Sequence, residues 1–431
     1  HRGTPFPYTT LVRSVIIGNG SAGINVASAL SGVETVSVEV FTAETRQLYS
    51  RVRLPEVLAG TSEPDDIVFH KPEWYEKKNI TVHTASPVTA IDPDGRTITL
   101  EEGKTVPWDY LVLATGASAN HPPLPGADLS GIHTMRTMDD VLTIRSRCKA
   151  HPESASVIGG GLLGLEAARA LKGAGAKSVR VFEIAPRLLP RQLDEAGASL
   201  LEKSFSAMGI DVLCDVQTEG FLPAADDSSR ASAVKLKDSR VFPSDVTILS
   251  MGVHSNTELA KSAGLAVNRG IVVDNRMRTS NPAIYAVGDC AEFDGIVWGI
   301  IPAALEQAPV AAKNILHDAG LLPDGETPHY VQTVPQTALK VGGIELMSMG
   351  KAVLTPEESA TGAFLELRRV WPDGSRYEKF VLSATASAED GGAHTLVGAI
   401  LYGSKAHQAT VKKLLGTAVD RSEMEAILEE D

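Results

Sequence analysis

Two glycine runs, Gly18-x-Gly20-x-x-Gly23 and Gly159-x-Gly161-x-x-Gly164, carry the residue types and spacing that point most directly to chemistry. Glycines placed this way let a backbone turn tightly and come close to a pyrophosphate, whose charge then sits on the free N–H groups of a helix N-terminus. Ser21 and Ala22 in the first run, and Leu162 and Leu163 in the second, fill the positions between the last two glycines. Glu44 lies 21 residues beyond Gly23, the distance expected of a carboxylate that grips a ribose hydroxyl. Glu183 closes the second run's unit in the same way. Either loop alone suits NAD or FAD, because both carry the same pyrophosphate. A bare strand-to-helix turn, or a duplicate that has lost its ligand, is the alternative.

Other groups carry weaker signals. Ala114-Thr115-Gly116 follows an apolar strand, and Gly288-Asp289 ends another, where a lone Gly-Asp is equally a type I turn or a helix cap. Glu166 falls in the first turns of the helix after the second loop, an ordinary place for an exposed glutamate. The three cysteines, Cys148, Cys214 and Cys290, are too far apart for CxxC or CxxxxC, so neither a disulfide framework nor a metal knuckle is expected.

The elements that must position these residues are legible. SVIIG, the first loop, GINVASALSG and TVSVEVF read as strand, turn, helix and strand, and ASVIGGGLLGLEAARALKGAGAKSVRVFE repeats the unit. DYLVLATGASANHPPLPG is a buried strand running into a Gly- and Pro-rich exit, and RTSNPAIYAVGDCAEF gives another short apolar strand. Beyond residue 325 the period changes to that of antiparallel strands, in TALKVGGIELMSMG, AFLELRRVW, YEKFVLSAT and HTLVGAILYG, with a helical tail from KAHQATVKKLLGTA. The expected fold is α/β, with two Rossmann-like three-layer dinucleotide-binding domains and a C-terminal α+β domain.

Composition sets the frame. With 431 residues, 43% hydrophobic and 22% charged, the chain can bury two or three cores. A net charge of −13 argues against nucleic acid and anionic membranes as partners. HRGTPFPYTTLVRS has no apolar core of signal-peptide length, and no run reaches the roughly 18 apolar residues of a membrane span, so a cytoplasmic protein is expected.

In chain order, the first GxGxxG, Ala114-Thr115-Gly116, the second GxGxxG and Gly288-Asp289 resemble the two-dinucleotide-binding flavoprotein reductases, the superfamily of disulfide reductases, ferredoxin reductases and NADH oxidases. LYSRVRLPEVLAG, EWYEKKNITVH, RLLPRQLDEAG, VWGIIPAALEQAPVAA and TALKVGGIELMSMG are similar to the rubredoxin reductase branch and to the flavin-bearing N-terminal part of the nitrite reductase large subunit. The resemblance implies an FAD-binding domain over 14–122 and 243–324, an NAD-binding domain over 123–242 and a C-terminal interface domain over 325–431. FAD would lie on Gly18, Gly20, Ser21, Ala22, Gly23 and Glu44, with Arg51, Val88 and Ala114-Thr115-Gly116 beside it. Gly288-Asp289 would meet its ribityl chain or pyrophosphate, with the following helix aimed at the flavin. NAD(H) would lie on Gly159, Gly161, Leu162, Leu163, Gly164 and Glu183, with Gly252 and Val253 lining it, and Glu166 would stand near the nicotinamide. A carboxylate at Glu183 favours NADH over NADPH, and nearby Arg180 and Arg187 weaken that inference.

Departures shape the expected mechanism. FTAETRQLYSRVRLPEVLAG has no cysteine where disulfide and peroxide reductases place one, so electrons must leave for an external centre. Glu56 stands where the ferredoxin-reductase branch often has a lysine, which leaves Arg51 or Arg53 as candidate partners of Glu166. His254-Ser255 replaces a usual Arg-Pro, Cys290 reads as a small buried hydrophobe, and Lys340 is either a flavin neighbour or a solvated strand lysine. No metal site and no cysteine clusters for a nitrite-reducing centre are expected in this chain. The expected function is FAD-dependent exchange of electrons between NADH (or NAD) and an iron–sulfur protein such as rubredoxin or ferredoxin, or an iron–sulfur subunit of a larger multi-subunit complex. An NADH oxidase and a non-catalytic flavin-binding assembly protein are the alternatives. Lys412-Lys413 or Arg368-Arg369 would offer basic contacts to an acidic partner, or else be solvated faces.

Overall fold

VRSVII and VSVEVF form strands Val12–Ile17 and Val36–Phe41 in the computed structural model, which describes residues 11–149, 152–322, 325, 327–334, 343–383 and 394–430, with the backbone of 336–341. Both strands are buried along most of their length, as strands covered on two faces must be. Helix Ser21–Leu30 joins them, starting directly from Gly20. Five parallel strands make the sheet, in the order Ile284–Ala286, Tyr110–Leu113, Val12–Ile17, Val36–Phe41, Ile80–His83. Helix Ser21–Leu30 packs on the long helix Ile301–Asp318, and Ile16, Val40, Leu111, Ile284, Ala308 and Ile315 close the core between helices and sheet. This unit takes in the chain up to Arg53, Glu63–Ala119 and Gly252–Thr333.

A second unit comprises Leu54–Ser62, Asn120–Met251 and the chain from Val334 onward. Its parallel sheet runs Ile210–Leu213, Ser178–Phe182, Ser154–Ile158, Val246–Leu249, Ile132–Thr134, with helix Leu162–Gly173 between the two strands of the repeated motif. The same unit holds the antiparallel sheet of the C-terminal region, in the order Gln336–Val341, Ile344–Gly350, His394–Tyr402, Tyr377–Ser383, Phe364–Val370, with Ala418–Val419 paired to His394–Tyr402. TALKVGGIELMSMG supplies two of these strands. Helices Gln408–Leu414 and Arg421–Glu429 cover one face through Val411, Met424 and Leu428 against Phe380, Leu382 and Leu401. Tyr377 and Tyr402, pointing to the other face, hydrogen-bond Asp194 and Ser204 beside and on helix Glu195–Ala207. Among the described residues no helix is long and apolar enough to cross a membrane.

Candidate functional site

Each unit carries one glycine loop, and the geometry separates glycines that the fold needs from glycines that it does not. Gly18 has φ of 112°, and a Cβ there would stand 2.0 Å from the Ala114 carbonyl oxygen. A Cβ on Gly23 would stand 2.0 Å from the Gly18 carbonyl oxygen. Strand, loop and helix can approach this closely only because both side chains are missing. Gly20 is different: its φ is an ordinary −86°, and a Cβ there meets nothing within 4 Å. Neither strain nor a protein neighbour requires glycine there, and the space before the helix is open. The helix behind it has no side-chain cap and no acid in its first turn, so the N–H groups of Ser21 and Ala22 face that space with their partial positive charge intact.

Beside this loop lies a concavity lined by Asn19, Thr42, Glu44, Arg46, Gln47, Leu48, Tyr49 and Arg51. Asn19 is 9% exposed, and its side-chain oxygen has no partner, which is what a missing hydrogen-bonding group leaves behind. Glu44 takes the Tyr49 hydroxyl on one oxygen and the Arg51 guanidinium on the other. These residues fit the phosphate and ribose of a nucleotide. No motif specifies Asn19, Thr42, Arg46, Gln47 and Tyr49; for the last four the signal in the sequence is the density of polar groups directly after the second strand.

Ala114-Thr115-Gly116 is clasped by Asn256, a further residue that the motifs do not reveal. Thr115 donates its hydroxyl to the Asn256 carbonyl at 2.7 Å, and the Asn256 amide donates to the Thr115 carbonyl at 2.9 Å. Val253 pairs with Ala119 in the short ladder beside this clasp, 42% exposed, and Gly252 precedes it at φ 84°. Val88 begins the small antiparallel sheet Val88–Asp92, Thr97–Leu100, Thr105–Pro107 and packs on the unit's core. Gly288-Asp289 forms a 3-10 turn, and no helix follows directly: strand Ala291–Phe293 intervenes, and the long helix begins only at Ile301. That helix still reaches the turn, because Gln307 accepts the Gly288 N–H at 2.7 Å. The Asp289 carbonyl accepts the Ser255 hydroxyl at 2.7 Å.

The second loop repeats the first. Gly159 has φ of 113°, and its Cβ would stand 2.2 Å from the Ser250 carbonyl oxygen; that of Gly164 would stand 2.0 Å from the Gly159 carbonyl oxygen. Gly161, at φ −77°, again has nothing within 4 Å. Leu163, Ile184 and Met251, beside the loop's lining groups in the chain, are 48%, 66% and 39% exposed, while Leu162 is half-buried. Glu183 is buried, with one oxygen on the Gly160 N–H at 2.5 Å and the other on the Ala185 N–H at 2.7 Å. Arg180 is drawn to Asp211 at 3.2 Å and lies over Phe242, and Arg187 donates to the Leu193 and Pro190 carbonyls.

Burial raises the Glu166 carboxyl above the ordinary range, Arg169 opposes this, and Glu56 adds to it. Glu56, on helix Leu54–Ala59 packed against the Glu166 helix, accepts the Ser62 hydroxyl at 2.9 Å. The arginines proposed for Glu166 have other partners: Arg51 pairs with Glu44, and Arg53 donates to the Asp66 carbonyl at 2.9 Å. Lys340 is in strand Gln336–Val341, and its side chain lies outside the described residues. Cys148 and Cys290 are buried, and their thiols are raised by burial, Cys148 to about 11. Burial and Glu202 push Cys214 up to about 12. None of the three supplies a thiolate near neutral pH.

Residues 12–314 match the family model described as Pyridine nucleotide-disulphide oxidoreductase. The chain is 35% identical over 415 residues to a nitrite reductase [NAD(P)H] of Bacillus subtilis, covering 96% of this chain and 48% of that protein. It is 35% identical over 337 residues to the NADH-rubredoxin oxidoreductase of Clostridium acetobutylicum, covering 78% of this chain and 81% of that one. The chain thus spans about half the length of the nitrite reductase, and 42% of a B. subtilis assimilatory nitrate reductase electron transfer subunit. Among solved structures, a ferredoxin reductase from Rhodopseudomonas palustris superposes with a TM-score of 0.81 at 26% identity, over 95% of this chain and 96% of that one.

Proposed function

The chain belongs to the pyridine nucleotide-disulphide oxidoreductase family, and from that premise we propose that it is an FAD-dependent oxidoreductase that takes a hydride from NADH and passes electrons to an external iron–sulfur protein or subunit. The observation that carries this reading is the pair of cleared cradles at Gly20 and Gly161, one in each unit, since one chain with two pyrophosphate sites suits a resident dinucleotide and a diffusing one. Bound FAD supplies the conversion between a two-electron donor and one-electron acceptors.

The first unit's residues hold the resident group. Gly20, Ser21 and Ala22 offer N–H groups to its pyrophosphate, Glu44 accepts from its ribose, and Arg51 keeps that carboxylate oriented. At the second loop, Gly161, Leu162 and Leu163 take the pyrophosphate of NADH, and Glu183 receives the adenosine ribose; a 2′-phosphate would meet its charge. Glu166, whose carboxyl burial raises above its ordinary range, stands beside the nicotinamide. With every thiol buried or raised, no cysteine relay serves the chain, and the acceptor must come from outside.

Anaerobic titration of the purified protein with NADH tests the reading. It predicts stoichiometric flavin bleaching, fast reduction of artificial one-electron dyes and slow oxygen consumption. Flavin that NADH leaves oxidised would overturn it. Oxygen uptake as fast as dye reduction would favour the second reading, an NADH oxidase, an activity that the name of a relative in Methanocaldococcus jannaschii, 34% identical over 354 residues, carries.

A further inference from the structure

The chain from Glu183 to Asp194 joins the carboxylate of the second loop to helix Glu195–Ala207 without helix or strand, apart from a turn in which the Leu189 carbonyl accepts the Gln192 and Leu193 N–H groups at 2.9 and 2.8 Å. Outside that turn, backbone bonds such as the Asp215 N–H on the Ala185 carbonyl at 2.9 Å and a few further contacts set its position. At its start, Glu183 grips the Gly160 and Ala185 N–H groups. In the middle, Leu188 and Leu189 are wholly buried, and the Leu188 side chain lies 2.6 Å from where a Cβ on Gly160 would stand, so the segment leans on the glycine loop itself. Arg187 closes it with a 3.1 Å bond to the Leu193 carbonyl.

Its far end is held by the C-terminal sheet. One Asp194 oxygen caps the helix by accepting the Gly197 N–H at 3.1 Å. The other accepts the Tyr377 hydroxyl at 2.5 Å and lies 3.3 Å from the Lys379 ammonium. Tyr377 and Lys379 stand two residues apart on one face of strand Tyr377–Ser383, and the Lys379 side chain, 3% exposed, has Glu366 as its second partner at 2.5 Å. A cap requires one oxygen, which serine or threonine supplies as well. Burying a lysine between two carboxylates is unfavourable unless the geometry is fixed, and it contributes little to packing. The arrangement spends that burial on holding Asp194 in place.

We propose that Tyr377 and Lys379 act through Asp194 as positioning residues for the 183–193 segment, and so set the affinity for the adenosine half of NADH. Burial and the Asp194 carboxylate raise the Tyr377 phenol, so it remains a donor across the working pH range. The inference rests on the functional reading, in which this segment receives NADH.

Calorimetry with ADP-ribose and with NADH, together with anaerobic NADH-driven flavin reduction, tests it on the holoprotein and on Tyr377→Phe, Lys379→Met and Asp194→Asn. The expected result is a rise of about three- to tenfold in the ADP-ribose Kd and the NADH KM, with the limiting reduction rate and flavin content within about twofold of the parent. Tyr377→Phe removes one oxygen and keeps the packing, so it decides the matter if Lys379→Met fails to fold. A lowered Tm with unchanged Kd and KM in Tyr377→Phe would overturn the inference alone. A parent protein that binds neither nucleotide would overturn the functional reading first.

Discussion

The two glycine loops are nearly superposable in their bonding and differ in what surrounds the carboxylate. In each, the first glycine donates to the end of the next strand, Gly18 to Phe41 and Gly159 to Phe182, at 2.8 and 2.7 Å. In each, the strand on the other side donates back, Ala114 to Ile17 and Ser250 to Ile158, both at 2.8 Å. The scaffolds are one solution used twice. Glu44, however, is held by two side chains, Tyr49 and Arg51, over a polar concavity, whereas Glu183 is held by two backbone N–H groups with exposed apolar residues nearby. Under the proposed function, the charged, side-chain-rich wall belongs to the resident group and the backbone donors to the diffusing one. On this reading the fold sets where a dinucleotide sits, and the second strand's exit sets how long.

The largest effects should come from glycines that the scaffold needs. Gly18→Ala and Gly159→Ala each push a methyl against a carbonyl at a left-handed φ, which should cost about 3 kcal/mol or more and unfold the host unit, read as lost amide protection in that unit. In Gly20→Val and Gly161→Val the new Cβ meets no protein atom within 4 Å, so both should fold with Tm near the parent. Gly20→Val should weaken flavin retention at least about tenfold, and Gly161→Val should keep its flavin while NADH-driven reduction falls by a similar factor. Equal flavin loss in both valine variants would break the assignment of roles to the two loops.

A smaller effect separates the carboxylates. Glu183→Gln removes the charge that repels a 2′-phosphate, so the preference for NADH over NADPH should fall about tenfold. Glu44→Gln and Arg51→Ala should leave that preference alone and loosen bound flavin about three- to tenfold. Kinetics with both nucleotides, alongside flavin release on dilution, give the readout. A shift in nucleotide preference from Glu44→Gln would reverse the assignment.

Much of this was legible in the sequence, because glycine positions that the backbone cannot replace leave a pattern at fixed spacing. Gly18, Gly23, Gly159 and Gly164 belong to that class, and so do the strands on either side. What surrounds each carboxylate was not legible. Arg51 reads as a candidate partner for Glu166 because spacing gives no direction to a side chain on a short turn, and the structure turns it onto Glu44. Asn256 holds Thr115 from 141 positions away, a pairing no local window contains. The break between Asp289 and the helix at Ile301 was hidden because AEF reads equally as a helix entry and as a short strand.

The smallest expected effect distinguishes the units by acid. In the first, Asp109 accepts the Arg13 N–H at 2.7 Å and its guanidinium at 2.9 Å, and these bonds hold the carboxyl below its ordinary range. Asp245 occupies the matching place in the second, but its partner is Ser154, at 3.1 Å, with no charge to add. The second unit also carries His133, in its edge strand Ile132–Thr134, with one ring nitrogen buried and unpartnered. Burial, with Arg147 adding to it, lowers this imidazole to about 4. The unfolded chain therefore binds a proton at His133 between the ordinary value of 6.5 and about 4 that the folded chain refuses, and stability falls as pH falls through that window. Asp109 acts lower: its contribution is complete above the ordinary 3.8 and disappears only as pH drops through the depressed folded value. Acid should thus weaken the second unit before the first, by about 1–2 kcal/mol once solvent screening is allowed for. Hydrogen exchange resolved by peptide between pH 7 and 4 measures the order, and His133→Phe should remove most of the difference. If the variant keeps the parent's acid profile, the asymmetry lies in some group other than His133.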